Sequence, residues 1–360
     1  MLLVTVRVLH VSKEFEPLSS GVARHIQGLA EAMQVNDKVT LTILAPVIGA
    51  TSDHLNIHKG GYRHVWSAIG KSDVVHVHGA RSPLAALAAL LAMIRGVPMV
   101  YTPHCYYDAG SLLYRFAKRV WDKTVERMIV RSAAAVILLH QGWRNELAQR
   151  GLHPAKVLII PNCIDDRRQT KTVTPYHLDG SPALLSVGRL DPVKRLDDVI
   201  AALSSPQLAQ AVLHVVGQGG DRPRLEALTA QLGLTSRVRF HGWQDDSVTQ
   251  LMMAGCGSMI LASEREGMPT VVLEALLAGV PIACSDIEGC RSITDAVGWD
   301  VLFPVGNATA LGECVARSAR SAVPVAVIEA VREGFTWQRK APELAAFYTG
   351  LVSAPRASGE

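Results

Sequence analysis

Aromatic side chains make up only 5% of the 360 residues, and the chain has no C-x-x-C pair, no D-x-D triplet and no apolar run of bilayer-spanning length. The cysteines, Cys105, Cys163, Cys256, Cys284, Cys290 and Cys314, show no Cys/His spacing that would enclose zinc, and they read as reduced thiols of a cytosolic protein. Without D-x-D the chain lacks the spaced Asp pair that can hold Mg or Mn on a phosphate. The opening run, MLLVTVRVLHVS, carries Arg7 and no basic leader, so it reads as a buried strand rather than a signal. The other long apolar run, Pro83 to Ile94, stops at Arg95-Gly96 and is too short to cross a membrane.

What is present is an aliphatic chain, 49% hydrophobic and 19% charged, with 29 Gly and 18 Pro spread along it. That excludes disordered, collagen-like and coiled-coil classes and leaves room for two domains, each with its own core. The net charge of +4 is uneven: residues 1–165 hold 18 Lys and Arg against 11 Asp and Glu, whereas residues 166–360 hold 18 against 21. An anionic partner would meet the first half, with its balance of +7; a solvated basic face without a partner is the plain alternative.

Short apolar runs alternate with amphipathic stretches, the pattern of βα units around a parallel sheet. In the first half the strand candidates are Val4–Val11, Val39–Ala45, Val74–Val77, Met99–Thr102, Ala135–Leu139 and Val157–Ile160, separated by helix-like stretches such as Gly21–Met33, Pro83–Arg95 and Leu112–Val130. The polar stretch 166–181 reads as a linker, and Leu184–Val187, Leu213–Val216, Val238–His241, Ser258–Leu261, Ile282–Cys284 and Val301–Phe303 repeat the architecture. The fold class is therefore α/β, with two Rossmann-like doubly wound domains and a ligand cleft at the strand carboxyl ends. Domains are expected at 1–165 and 182–334.

Two stretches carry most of the chemistry. In LLSVGRLDPVKR, Arg189 and Lys194 flank a strand-to-helix turn, a pair of cations suited to a diphosphate. In SEREGMPTVVLEALLAG, Glu266 and Glu274 stand eight apart around Gly267, Met268, Pro269 and a Thr270 able to cap the following helix. Two solvated glutamates are the bland alternative. His76 and His78 share one strand face but lack a third ligand in register, which favours a structural role over zinc.

Together, GRL-x4-K, VVGQG (Gly217, Gly219), FHGW (Gly242, Trp243) and EGMPTVVLEALLAG, preceded by SSGVARHIQGLA, DVVHVHG, YTPH and PNCID, resemble the retaining glycosyltransferases of family 4, which have the GT-B fold. The resemblance runs over nearly the whole chain. It implies a nucleotide-sugar donor, held by Arg189 and Lys194 at the diphosphate and by Glu274 at the ribose. Glu266, Gly267, Met268 and Pro269 would meet the transferred sugar, with Gly217, Gly219, Trp243 and Gln244 bordering the donor site. Gly21 would let its backbone approach the phosphates, and His104 would face the sugar and the acceptor; buttressing a strand end is its alternative role. No cofactor and no metal are implied. The segment 335–350 would be a helix returning to the first domain, anchored by Trp337 and Phe347.

Departures from the family pattern fall at the phosphate loop, where Ser20-Gly21 replaces Gly-Gly, at Cys163, and at Ile287 to Arg291. They put the donor's identity in question: a UDP-sugar comes first and GDP-mannose second. The acceptor would be a glycan or a lipid-linked sugar of the cell surface. Leu112–Val130, with apolar residues at helical spacing beside Arg115, Lys118, Arg119, Lys123 and Arg127, is either an interfacial helix meeting anionic lipid or a core helix with a basic face. The expected location is cytoplasmic, and peripheral at the inner face of the cytoplasmic membrane if the first holds. A dehydrogenase would need a third glycine after Gly217-Gln218-Gly219, and a glycoside hydrolase has no use for the Arg189–Lys194 clamp. A non-catalytic paralogue acting in an assembly is the remaining rival, and nucleic acid is not an expected partner.

Overall fold

The computed structural model describes residues 5–13, 15, 21–46, 55–106, 108, 110–166 and 176–353. The chain divides into two compact units, Met1–Cys163 with Trp337–Glu360, and Ile164–Thr336.

The first unit is built on β1 (Val6–Val11), β2 (Val39–Ala45), β3 (Ile57–Lys59), β4 (Val74–His78), β5 (Met99–Thr102), β6 (Ala135–Leu138) and β7 (Val157–Ile159), ordered β3-β2-β1-β4-β5-β6-β7 with every pair parallel. Residues of β4, β5 and β6 are all buried, as expected of strands covered on both faces. The connecting helices are α1 (Gly21–Met33), α2 (Tyr62–Ile69), α3 (Pro83–Arg95), α4 (Leu112–Trp121), α5 (Arg127–Ser132) and α6 (Trp143–Gln149). Local signals set their ends. Ser82 accepts the Ala85 N–H ahead of Pro83, and Gly96, at φ +63, closes α3 in the left-handed conformation.

The sequence suggests six strands here, and a seventh, β3, is present; its three residues, half-buried Ile57 and exposed His58 and Lys59, pair only with β2 and leave no apolar run to read. Leu112–Val130 is not one helix either. A π-helical turn over Asp122–Glu126 separates α4 from α5. Both carboxylates of that turn are buried: Asp122 accepts from Arg81, and Glu126 accepts from Tyr101, Tyr106, Trp121 and the Arg81 backbone. No residue of α4 is buried, so the core-helix alternative applies only to α5, where Ile129 and Val130 are enclosed.

A C-terminal helix, Trp337–Ser353, completes this unit's core. Trp337, Leu344 and Tyr348 pack with Ile26, Leu29 and Met33 of α1 and with Val6, Val8 and Ile43 of the sheet. A Cβ at Gly28 would collide with the Trp337 indole, which is why α1 tolerates a glycine there. The helix starts two residues later than Phe335; Phe335 itself accepts the Ile164 N–H within the second unit.

The second unit repeats the plan with β8 (Ala183–Val187), β9 (Val212–Val216), β10 (Val238–Gly242), β11 (Ser258–Leu261), β12 (Ile282–Ser285) and β13 (Leu302–Phe303), ordered β10-β9-β8-β11-β12-β13 and parallel throughout. Its helices are α7 (Leu196–Ala202), α8 (Arg222–Gln231), α9 (Asp246–Gly255), α10 (Thr270–Leu277), α11 (Glu288–Val297), α12 (Ala308–Ser318) and α13 (Val325–Gly334). Thr270 opens α10 as its first helical residue behind Pro269 and caps nothing, contrary to the sequence reading. In each unit the strand order reverses beside the first strand, between β1 and β4 and between β8 and β11. Those reversals are where an open α/β sheet leaves a crevice.

Candidate active site

In the second unit the loops after β8, β9, β10 and β11 are knitted together. Gly188 N donates to Val216 O at 3.0 Å, Leu190 N to Gln218 O at 2.9 Å, and Gly217 N to Gly242 O at 2.7 Å. A Cβ at Gly217 would run into the Gly188 carbonyl, and one at Gly219 into that of Leu190. Loop-on-loop packing therefore accounts for both glycines.

Asp191 then folds the chain tightly, its carboxylate accepting from Val193 N and its carbonyl from Lys194 N at 2.8 Å, before Arg195 turns left-handed at φ +50. Across the strand reversal, Glu264 N donates to Val193 O at 2.8 Å. This brings Lys194 to Glu266: Nζ donates to Oε1 at 2.6 Å, and Ser263 Oγ donates to the same oxygen at 2.8 Å. The two side chains retain 22% and 16% exposure, enough for a ligand to reach them. A charge-assisted bond in such a half-buried place contributes about 1.5–3 kcal/mol. Arg189 and Lys194 line one recess beyond β8, with the Arg189 side chain 63% exposed and weakly paired to Asp191 at 3.9 Å.

Gly289, at the start of α11, lets the backbone beyond Glu266 close in, since a Cβ there would stand 2.7 Å from Glu266 O and 3.0 Å from Gly267 O. Met268 is buried below this loop, Pro269 precedes α10, and Glu274 sits half-buried on the second turn of α10. Gln244 Nε2 donates to His241 O at 3.0 Å, while Trp243 projects at 68% exposure. Arg189, Lys194, Glu266, Gly217 and Gly219 are thus drawn to the β8/β11 reversal, and Trp243 and Gln244 follow β10 toward the sheet edge.

His104 and Gly21 belong to the first unit. Gly21 opens α1, and among the described residues no atom lies within 4 Å of where its Cβ would stand. His104 follows β5 in the left-handed conformation at φ +62, a position uncommon for residues other than Gly but one in which His, Asn and Asp are enriched. It ends a histidine cluster and, at 7% exposure, is the least buried of its five imidazoles. His104 Nε2 lies 3.0 Å from His78 Nδ1, and His78 Nε2 lies 2.8 Å from His10 Nδ1. His10 Nε2 reaches Tyr348 Oη at 3.3 Å, the hydroxyl reaches His76 Nδ1 at 2.6 Å, and His76 Nε2 reaches Thr102 Oγ1 at 2.7 Å. His25 of α1 stands edge-on to His104, its Nδ1 2.9 Å from Asn162 Oδ1.

Burial holds all five imidazoles below their usual pKa, His10 at about 3 and His25 at about 4, so each is neutral at pH 7. The sequence finds no third partner for His76 and His78, but His10 supplies one. β1 lies parallel beside β4 with His10 in register with His76, and ligand atoms of the three come within 4.8 Å of one another. As a donor set they suit zinc by type, yet every ring nitrogen of the three is engaged in a hydrogen bond, and His78 stacks on both neighbours at 25–29° rather than converging with them on a point. Sequence reasoning missed His10, His25, Thr102 and Tyr348. The signal for His10 was its same-face alternation once β1 and β4 are placed side by side.

Profiles of known families match both units. "Glycosyltransferase Family 4" matches residues 19–168, and "Glycosyl transferases group 1" matches residues 170–321. The chain belongs to the family 4 type of GT-B glycosyltransferases, and it is an enzyme of that class. It is 27% identical over 294 residues to the 2-deoxystreptamine glucosyltransferase of Streptomyces kanamyceticus, covering 76% of this chain and 74% of that protein. It is 29% identical over 154 residues to the lipopolysaccharide 1,6-galactosyltransferase of Salmonella typhimurium, covering 42% of each. Anabaena Alr3699/HepE, solved in complex with UDP and glucose, superimposes with a TM-score of 0.77 at 17% identity, covering 96% of this chain and 100% of that one. That likeness establishes the GT-B fold.

Proposed function

We propose that the protein transfers a sugar, with retention of configuration and without a metal, from a nucleotide-diphosphate donor to a glycan or lipid-linked acceptor of the bacterial cell surface. The observation that carries this reading is the Lys194–Glu266 pair at the β8/β11 reversal, with Arg189 in the same recess. As the bond from the anomeric carbon to the diphosphate breaks, negative charge gathers on the departing phosphate and positive charge on the sugar. Lys194 has two protons beyond the one it gives Glu266, and with Arg189 it would stabilise the first; the Glu266 carboxylate would stabilise the second. The acceptor oxygen bonds to the anomeric carbon on the face the diphosphate leaves, and its proton passes to a phosphate oxygen. Glu274 would hold the ribose, and Gly267, Met268 and Pro269 would shape the sugar site. His104 and Gly21 of the first unit are assigned to the sugar and phosphates; residues 167–175 of the linker expected at 166–181 lie outside the described residues.

UDP-sugar is the first choice of donor, supported by the UDP complex of the Anabaena neighbour, and GDP-mannose is the second. A role in lipopolysaccharide assembly is supported by the Salmonella relative. No helix among the described residues is long and apolar enough to cross a membrane. Contact with an anionic membrane surface is supported by α4, whose Leu112, Leu113 and Phe116 are 82%, 78% and 63% exposed beside Arg115, Lys118 and Arg119. The test of the donor is a thermal-shift screen against UDP, GDP, ADP and their sugars: the true donor's nucleotide raises the midpoint. No rise with any nucleotide would favour the non-catalytic paralogue instead.

A further inference from the structure

The chain of five hydrogen bonds from Thr102 to His104 has a direction, and its buried end sets it. Thr102 is fully buried, and among the described residues its hydroxyl has one partner, His76 Nε2. If that nitrogen donated to Thr102, the hydroxyl proton would be left without an acceptor among the described residues, a costly state for a buried polar group. Thr102 therefore donates, and His76 Nε2 is unprotonated. A neutral His76 then carries its proton on Nδ1 and donates to Tyr348 Oη. Tyr348 donates onward to His10 Nε2, His10 Nδ1–H donates to His78 Nε2, and His78 Nδ1–H donates to His104 Nε2. Burial holding these imidazoles neutral leaves one proton per ring, so no link can be doubled.

We infer that Thr102, His76, Tyr348, His10 and His78 are positioning residues that lock His104 in the Nδ1–H tautomer, so that it offers a hydrogen-bond donor, not a base, to its ligand. The inference rests on the reading of His104 as a ligand contact. It specifies the chemistry that nitrogen recognises: an acceptor oxygen of the bound donor, a sugar hydroxyl or a phosphoryl oxygen. It also removes His104 as the group that takes the acceptor's proton, which agrees with passing that proton to the departing phosphate.

The test is a long-range ¹H–¹⁵N correlation spectrum of the full chain labelled in its histidine rings, with His104 assigned from the signals missing in His104→Asn. The expected result at neutral pH is a single neutral tautomer with the proton on Nδ1. A proton on Nε2, or on both nitrogens, overturns the inference without any variant. Thr102→Val keeps the shape and removes the anchoring proton, so both tautomers should appear at His104, and an unchanged spectrum there would also overturn it. In transfer assays His104→Asn should stay within about 10-fold of the native rate, because its amide nitrogen replaces Nδ1–H and asparagine accepts positive φ. His104→Ala should fall by about 100-fold or more. Native activity in His104→Ala would overturn the ligand contact itself, while the spectrum still decides the tautomer.

Discussion

The two units share a sheet order and treat charge at the strand reversal in opposite ways. In the first, five imidazoles are buried and uncharged. In the second, an ammonium and a carboxylate meet at 2.6 Å with solvent still in reach. One topology supplies the place, and the residues grafted on it decide the chemistry. A neutral, directional donor suits hydroxyl oxygens, and a half-exposed ion pair suits a diphosphate that can exchange for one of its members.

Acid is the strongest way to break this contrast. An imidazole whose folded pKa is depressed stabilises the fold above its unfolded value near 6.5, and that contribution is lost as pH falls toward the folded value. For His10 and His25 the window runs from about 6.5 down to about 3 and about 4. Each such imidazole contributes about 1.4 kcal/mol per pH unit within the window. His10 and His25 alone amount to about 4 kcal/mol by pH 5, and burial shifts His76, His78 and His104 in the same direction, so the first unit should unfold near there. Hydrogen exchange resolved by peptide should show its protection collapsing while β8 to β12 remain protected. Equal loss in both units would contradict the asymmetry.

Lys194→Ala and Glu266→Ala strike the other side. Each should lower kcat/KM by more than about 100-fold, or ~2.7 kcal/mol of transition-state stabilisation, and cost the folded state about 1.5–3 kcal/mol, the worth of the lost charge-assisted bond. Steady-state kinetics beside chemical denaturation separate the two, and near-native transfer in either variant would unseat the site.

How far the sequence could be read follows the same divide. The second unit's candidate residues lie within contiguous stretches, so Arg189, Lys194, Glu266 and Glu274 could be singled out there, although spacing left the glutamates as readily solvated and only the family resemblance gave them roles. The first unit's cluster draws on β1, β4, β5, α1 and the C-terminal helix, with His76 and Tyr348 separated by 272 positions. No local window holds such a set. β3 escaped because it is a short edge strand, and the π-helical turn escaped because helical periodicity continues on either side of it.

The mildest change sharpens the comparison at the surface. Leu113→Ser with Phe116→Ser on α4 should alter stability by less than about 0.5 kcal/mol, since neither side chain is buried. The pair should nonetheless abolish salt-sensitive flotation with anionic vesicles. Flotation unchanged by the double substitution would place any membrane contact elsewhere.

The C-terminal helix also sets an order of events on the ribosome. The first unit's core includes Trp337, Leu344 and Tyr348, so a nascent chain of its first 163 residues lacks the side chains that complete the packing on α1 and β1. The intervening unit, Ile164–Thr336, is complete in itself and can fold as it emerges. The half of the enzyme synthesised first is therefore the half that finishes last, and truncation before Trp337 should expose an apolar face that invites aggregation.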